Sequence, residues 1–75
     1  MRYAILEWNI NDRCWDIINE SNMENAKRKM RMYYKISCAR YPNKSFKFVE
    51  MSERVIESRV VNRDAEFRDL QTVVK

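Results

Sequence analysis

The chain contains no glycine and no histidine. At the average usage of about 7%, a protein of this length would carry about five glycines. Their absence excludes the P-loop, the dinucleotide-binding turn and the Gly-containing RNA-recognition and KH signatures, which need glycine for close backbone approach or unusual dihedrals. The lack of histidine removes Ser-His and Cys-His nucleophile pairs and the ordinary proton shuttle of neutral pH. Carboxylates, Lys, Tyr and Cys remain, on a 75-residue chain too small to form the concave, water-excluding cleft that catalysis uses. The sequence therefore predicts a protein that is not an enzyme. Its two cysteines, Cys14 and Cys38, form no Cys-x-x-Cys and have no histidine to join them, so neither metal nor other cofactor is expected. No apolar run approaches the ~18 residues of a membrane span. The stretch MRYAILEWN also lacks the basic region, long apolar core and cleavage site of a signal peptide. A soluble, cytoplasmic protein with reduced thiols is expected.

What is present is a folding composition, 45% apolar and 12% aromatic, in the size range of a single domain. YAILEWNI alternates, placing Ala4, Leu6, Trp8 and Ile10 on one face and Tyr3, Ile5, Glu7 and Asn9 on the other. Residues 11–13, NDR, read as a polar turn in which Asn and Asp stand in for glycine. CWDIINE alternates again, which completes an antiparallel hairpin. Ser21 or Asn22 is a candidate helix N-cap, with Glu24 placed as in a capping box. Met23, Ala26, Met30, Tyr33, Tyr34 and Ser37 then share one helical face. Pro42 ends that helix by Arg40 or Tyr41.

FKFVEM at 46–51 is a third strand. The β-branched RVIESRVV after it favours a fourth, although Ser52 capping one long helix through Ile56, Val60, Phe67, Leu70 and Val74 also fits. RDAEFRDLQTVV, residues 63–74, reads as a short C-terminal helix with Asn62 as its cap and Phe67, Leu70 and Val74 on its apolar stripe. The expected fold is a single α+β domain over 1–75, with a hairpin–helix–strand core over 1–51. Its antiparallel sheet has three to four strands in the order 2-1-3 or 2-1-3-4, one face covered by the amphipathic helix.

Charge is distributed unevenly. Residues 25–49 hold Lys27, Arg28, Lys29, Arg31, Lys35, Arg40, Lys44 and Lys47 and no acid. The segments on either side are net acidic, and the whole chain is +4. Lys27, Arg28, Arg31, Lys35, Arg40 and Lys44 are the candidate contacts to a partner or to phosphates. Met32 lies opposite the buried stripe among these cations and is a candidate apolar anchor. If Ala4, Leu6, Trp8, Trp15 and Ile17 meet the helix, then Tyr3, Ile5, Phe46 and Phe48 face away from it. That second apolar face is open to cover by the C-terminal segment, by a second copy in a homodimer, or by stacked bases. Docking on another protein or a protein–nucleic-acid complex is the first expectation, and direct DNA or RNA binding without base readout is the alternative. A homo-oligomeric structural protein is the third.

The order YAILEW, CWDIINES, ENAKRKMRMYY, FKFVEM resembles small bacteriophage-encoded proteins that take over host machinery or counter host defences. The likeness spans about residues 3–51 and rests on element pattern and size, so no functional residue carries over. It implies a viral protein that acts in the host cytoplasm by docking on and inhibiting or modulating a host macromolecule, without turnover.

Overall fold

A computed structural model describes residues 2–51, 60–61 and 67–74 of the chain. Strands β1 (Arg2–Asn9) and β2 (Cys14–Ser21) form the expected hairpin, followed by helix α1 (Lys27–Arg40) and strand β3 (Phe46–Met51). Two short additions complete the sheet, β4 (Val60–Val61) and β5 (Phe67–Val73). The order is β4-β2-β1-β3-β5, every pairing antiparallel, with α1 packed on one face. The fold is α+β, and its central β2-β1-β3 order is the expected one.

The glycine-free turn is built by Asn9. Its Oδ1 accepts the backbone N–H of Asn11 at 3.0 Å and of Asp12 at 3.1 Å, while its Nδ2 donates to Asp12 and Asp16 carboxylates at 3.1 Å each. The one left-handed residue described is Arg13, at φ 53°, and not Asn11 or Asp12. The side-chain bonds of Asn9 hold the two preceding residues in place, so the reversal falls on the residue that enters β2.

The helix starts later than the capping pattern predicts. Ser21 ends β2, and its hydroxyl accepts the Met23 N–H at 3.3 Å. The N-cap is Ala26, with no side-chain capping bond. The C-terminal end agrees with expectation: Tyr41 N–H bonds to Ser37 O at 2.9 Å, and Lys44 N–H closes a turn on Tyr41 O at 3.1 Å, with Pro42 at its second position.

Two assignments are corrected. The C-terminal helix is absent from the described residues, since 67–73 form β5 beside β3. The Phe67, Leu70, Val74 spacing suits a helix in isolation. Pairing with the open edge of β3 gives the β3-facing backbone groups of the same residues their partners, and Thr72, Val73 and Val74 are β-branched. A register shift at Leu70 then turns Phe67 to one face and Leu70 and Val73 to the other. Of the expected fourth strand over 53–61 the described residues are Val60–Val61, which pair with Asp16 and Trp15 of β2 and not with β3. The rest of that segment and Asn62 lie outside the described residues.

The second correction concerns the faces. Helix residues Ala26, Met30 and Tyr34 pack on Ile5, Phe46 and Phe48, joined by Tyr3, Cys38, Leu70 and Val73. The residues expected under the helix, Ala4 and Leu6, lie with Val49 and Met51 on the opposite face, where Trp15, Ile17 and Phe67 pack against them. Trp8 is 38% and Ile10 77% exposed. Alternation tells which residues share a face, but both faces here are apolar, so it does not tell which one receives the helix. On the far face Lys47 stretches over Trp15 and Phe67, its Nζ 4.6 and 4.9 Å from the ring centroids and 3.8 Å from Asp69. Asp69 also accepts the Thr72 hydroxyl.

Both cysteines are free thiols, Cys14 buried and Cys38 half-buried. Cys38 lies one helical turn beyond Tyr34, whose hydroxyl is buried with no hydrogen-bond partner among the described residues. Burial first, and the Cys38 thiol second, push the Tyr34 pKa above its ordinary 10.0. A hydroxyl that ionises less readily in the folded chain supports the fold fully below that ordinary value and loses its contribution as pH rises past it. The wild-type melting temperature should therefore fall more steeply above about pH 10 than that of Tyr34→Phe. Parallel curves in thermal melts across that range would refute the placement.

Candidate docking surface

The outer surface of α1 follows from its inner one. With Ala26, Met30 and Tyr34 turned to the sheet, winding at 100° per residue gathers Arg28, Arg31 and Lys35 within about 60° on one outward flank. Lys29 and Arg40 fall on the other flank, and Lys27 borders the core stripe. All six are exposed. Among the described residues none of them lies within ion-pair distance of a carboxylate, whereas Lys44 pairs with Glu7, Lys47 with Asp69 and Arg68 with Glu50. The 14-residue helix is about 21 Å long, so the cations form a band of that length.

Where the cations sit is unfavourable for the helix itself. Its first turn contains Lys27, Arg28 and Lys29 and no acid, at the end where the aligned peptide dipoles leave partial positive charge. A cation there is disfavoured by about 0.3–1 kcal/mol. Lys27–Arg31 and Arg31–Lys35 are like-charge pairs four apart, each destabilising by about 0.2–0.5 kcal/mol. A helix charged only to remain soluble would place its acids first and its bases last.

The loop continues the band only in part. Lys44 Nζ lies 2.9 Å from Glu7 Oε1 and 5.0 Å from the Tyr41 ring centroid. Glu7, by hydrogen bond and by charge, raises the Lys44 pKa, so this cation is matched within the protein.

Between the two cationic flanks Met32 and Ile36 form an apolar stripe, and Tyr33 lies beyond Lys29 and Arg40, between them and the core face. Met32 is 55%, Ile36 47% and Tyr33 37% exposed, and Lys29 Nζ sits 5.9 Å from the Tyr33 ring centroid. Met32 was legible in the sequence. Tyr33 and Met23 were expected in the core and are on the surface, because the late helix start releases Met23 and the sheet contacts centre on Met30 and Tyr34. Ile36, three and four residues beyond Tyr33 and Met32, was missed although its spacing announces a second stripe. Tyr3, Ile5, Phe46 and Phe48, proposed above as an interface, serve the helix–sheet core: Ile5, Phe46 and Phe48 are at most 1% exposed, so they offer no platform for bases.

Among the described residues no three metal-ligating side chains come together, and no helix is long and apolar enough to cross a membrane. Comparison of the chain with protein-family models, with curated proteins and with solved structures returns no match in any of the three.

Proposed function

We propose that this chain is a small docking protein, acting without turnover, that lays the outer face of α1 on an acidic site of another macromolecule and occludes it. The observation that carries this reading is the set of uncompensated cations at the helix N-terminus, held where they cost the helix stability. Residues kept against local stability are expected where function requires them. The cations speed encounter, and the exposed Met32, Tyr33 and Ile36 supply the apolar contact from which most affinity derives. That apolar stripe favours a protein target over a phosphate backbone, which offers it nothing to bury. In keeping with the bacteriophage-like pattern, the target is a host component in the cytoplasm of the infected cell.

The test is capture of partners from nuclease-treated host lysate on immobilised protein, with Arg31→Ala and Lys44→Ala variants in parallel. A protein retained at low salt, released as salt rises, weakened by Arg31→Ala and little affected by Lys44→Ala is the expected result. Retention that vanishes with nuclease treatment would instead indicate DNA or RNA. For that alternative, five phosphate contacts predict affinity falling with a log–log salt slope of about −4 to −5.

A further inference from the structure

The helix covers β1 and β3 and leaves the β2 side of the same face open. A groove of about 310 Å³ results between β2 and the first half of α1. Ala26 and Met30 belong to the buried core beneath it, Met23 and Tyr33 are its exposed apolar walls, Asn19 and Ser21 lie on the strand side, and Asn25 and Lys29 add polar rim. Glu20 also lines it, with its side chain engaged within the protein. The volume lies at the small end of the range of about 300–1,000 Å³ typical of ligand clefts, which suits one large side chain. Tyr33 lines this groove and Ile36 lies three residues further along the helix, so the groove leads into the exposed stripe of Ile36 and Met32, with Lys29 and Arg40 at the two ends of the junction and Arg28 and Lys35 along its far side.

Resting on the docking reading and making its partner specific, we infer that this track is the seat of an acidic amphipathic helix. One apolar side chain of that helix enters the Met23–Tyr33 groove, the next ones cover Ile36 and Met32, and its carboxylates meet Lys29 and Arg40 at the ends of the track and Arg28 and Lys35 along its far side. Apolar positions at helical spacing on α1 match apolar positions at helical spacing on a partner helix. The cationic borders match its acidic sides and repel basic ones. Concavity decides against an anionic bilayer, which presents no side chain to fill a groove. The apolar content of the track decides against a nucleic-acid backbone.

Four fluorescent probes test this at low salt: an 18-residue synthetic peptide with Leu at i, i+3, i+4 and i+7 and Glu and Ala elsewhere, its scrambled sequence, a 20-base-pair DNA duplex, and phosphatidylglycerol-containing vesicles. The patterned peptide should bind at least tenfold tighter than the scramble. Met23→Ser with Tyr33→Ser should erase that preference while leaving the scramble's affinity unchanged, and the half-exposed Tyr33 ring should cost no more stability than Trp8→Ala, so the protein stays folded at the assay temperature. Ile36→Ser provides the same test outside the groove. Equal binding of both peptides, lost on reversing Arg28, Arg31 and Lys35, overturns the helix seat but leaves anionic docking standing. Tighter binding of duplex or vesicles than of the patterned peptide overturns the inference as well. If neither peptide binds, and the charge-reversed protein captures the same lysate proteins as wild type, both readings fall.

Discussion

Replacing Phe48 with alanine should destabilise the protein by about 3–5 kcal/mol, as read from the midpoint of urea unfolding. Phe48 is 0% exposed and sits on the central strand pair opposite Ile5. Its ring centroid is 6.3 Å from those of both Tyr34 and Tyr3, so truncation removes the contact through which helix and sheet meet. The surrounding strands are paired on both sides of β3 and have little freedom to collapse into the void. For a domain of this size, total stability of roughly 5–10 kcal/mol is usual, so the loss should remove about a third or more of it. Trp8→Ala supplies the contrast. An expectation of burial under the helix would give it the same cost, but Trp8 is 38% exposed and touches its neighbour Trp15 edge-on at 5.3 Å. It should cost about 1–2 kcal/mol, the range of a half-exposed aromatic pair. A Trp8 variant as damaged as the Phe48 one would mean that the core lies on the other face.

That contrast marks the boundary of what the sequence made legible. Alternation in Tyr3–Ile10 and Phe46–Met51 sufficed for the strands and for their partition into two faces, because side-chain direction in a strand is local geometry. The choice between faces depends on where the helix crosses, a tertiary property, and with Leu6 and Trp15 on one side and Ile5 and Phe48 on the other neither face was visibly polar. The segment from Phe67 to Val73 failed for a related reason. Its apolar spacing fits a helix, yet an unpaired β3 edge supplies backbone partners that no local pattern records. The helix start was misplaced because Ser21 and Glu24 have the spacing of a capping box, whereas Ser21 is used inside β2. The cationic band was legible throughout, since it needs only a list of charges and a helical period. Its apolar track was half legible: Met32 stands out against its charged neighbours, while Tyr33 next to Tyr34 reads as core until the helix is docked.

Reversing three charges on that band, with Arg28→Glu, Arg31→Glu and Lys35→Glu together, should weaken partner binding at least 100-fold while leaving the protein as stable as wild type or slightly more so. The two effects have separate causes. The three side chains are exposed and, among the described residues, unpaired, so their loss breaks no internal contact, and surface changes of this kind stay within about 0.5 kcal/mol. A glutamate at position 28 lies in the first turn, where the dipole favours it by a few tenths of a kcal/mol, and the repulsion of Arg31 with Lys27 becomes attraction. For the partner the sign of the surface is inverted: each substitution moves the formal charge by two, taking the chain from +4 to about −2. An acidic site formerly drawn to the helix is then opposed by it, and about 0.9 kcal/mol per position yields the factor of 100, since 1.4 kcal/mol is tenfold. Most of that loss should appear as slower association, and it should shrink at high salt, as screening removes attraction in the one protein and repulsion in the other. Thermal melts beside association kinetics at two salt concentrations measure both sides. A variant that melts as wild type and binds its partner at the wild-type rate would show the cations to be there for solubility, and α1 would then present no docking face at all.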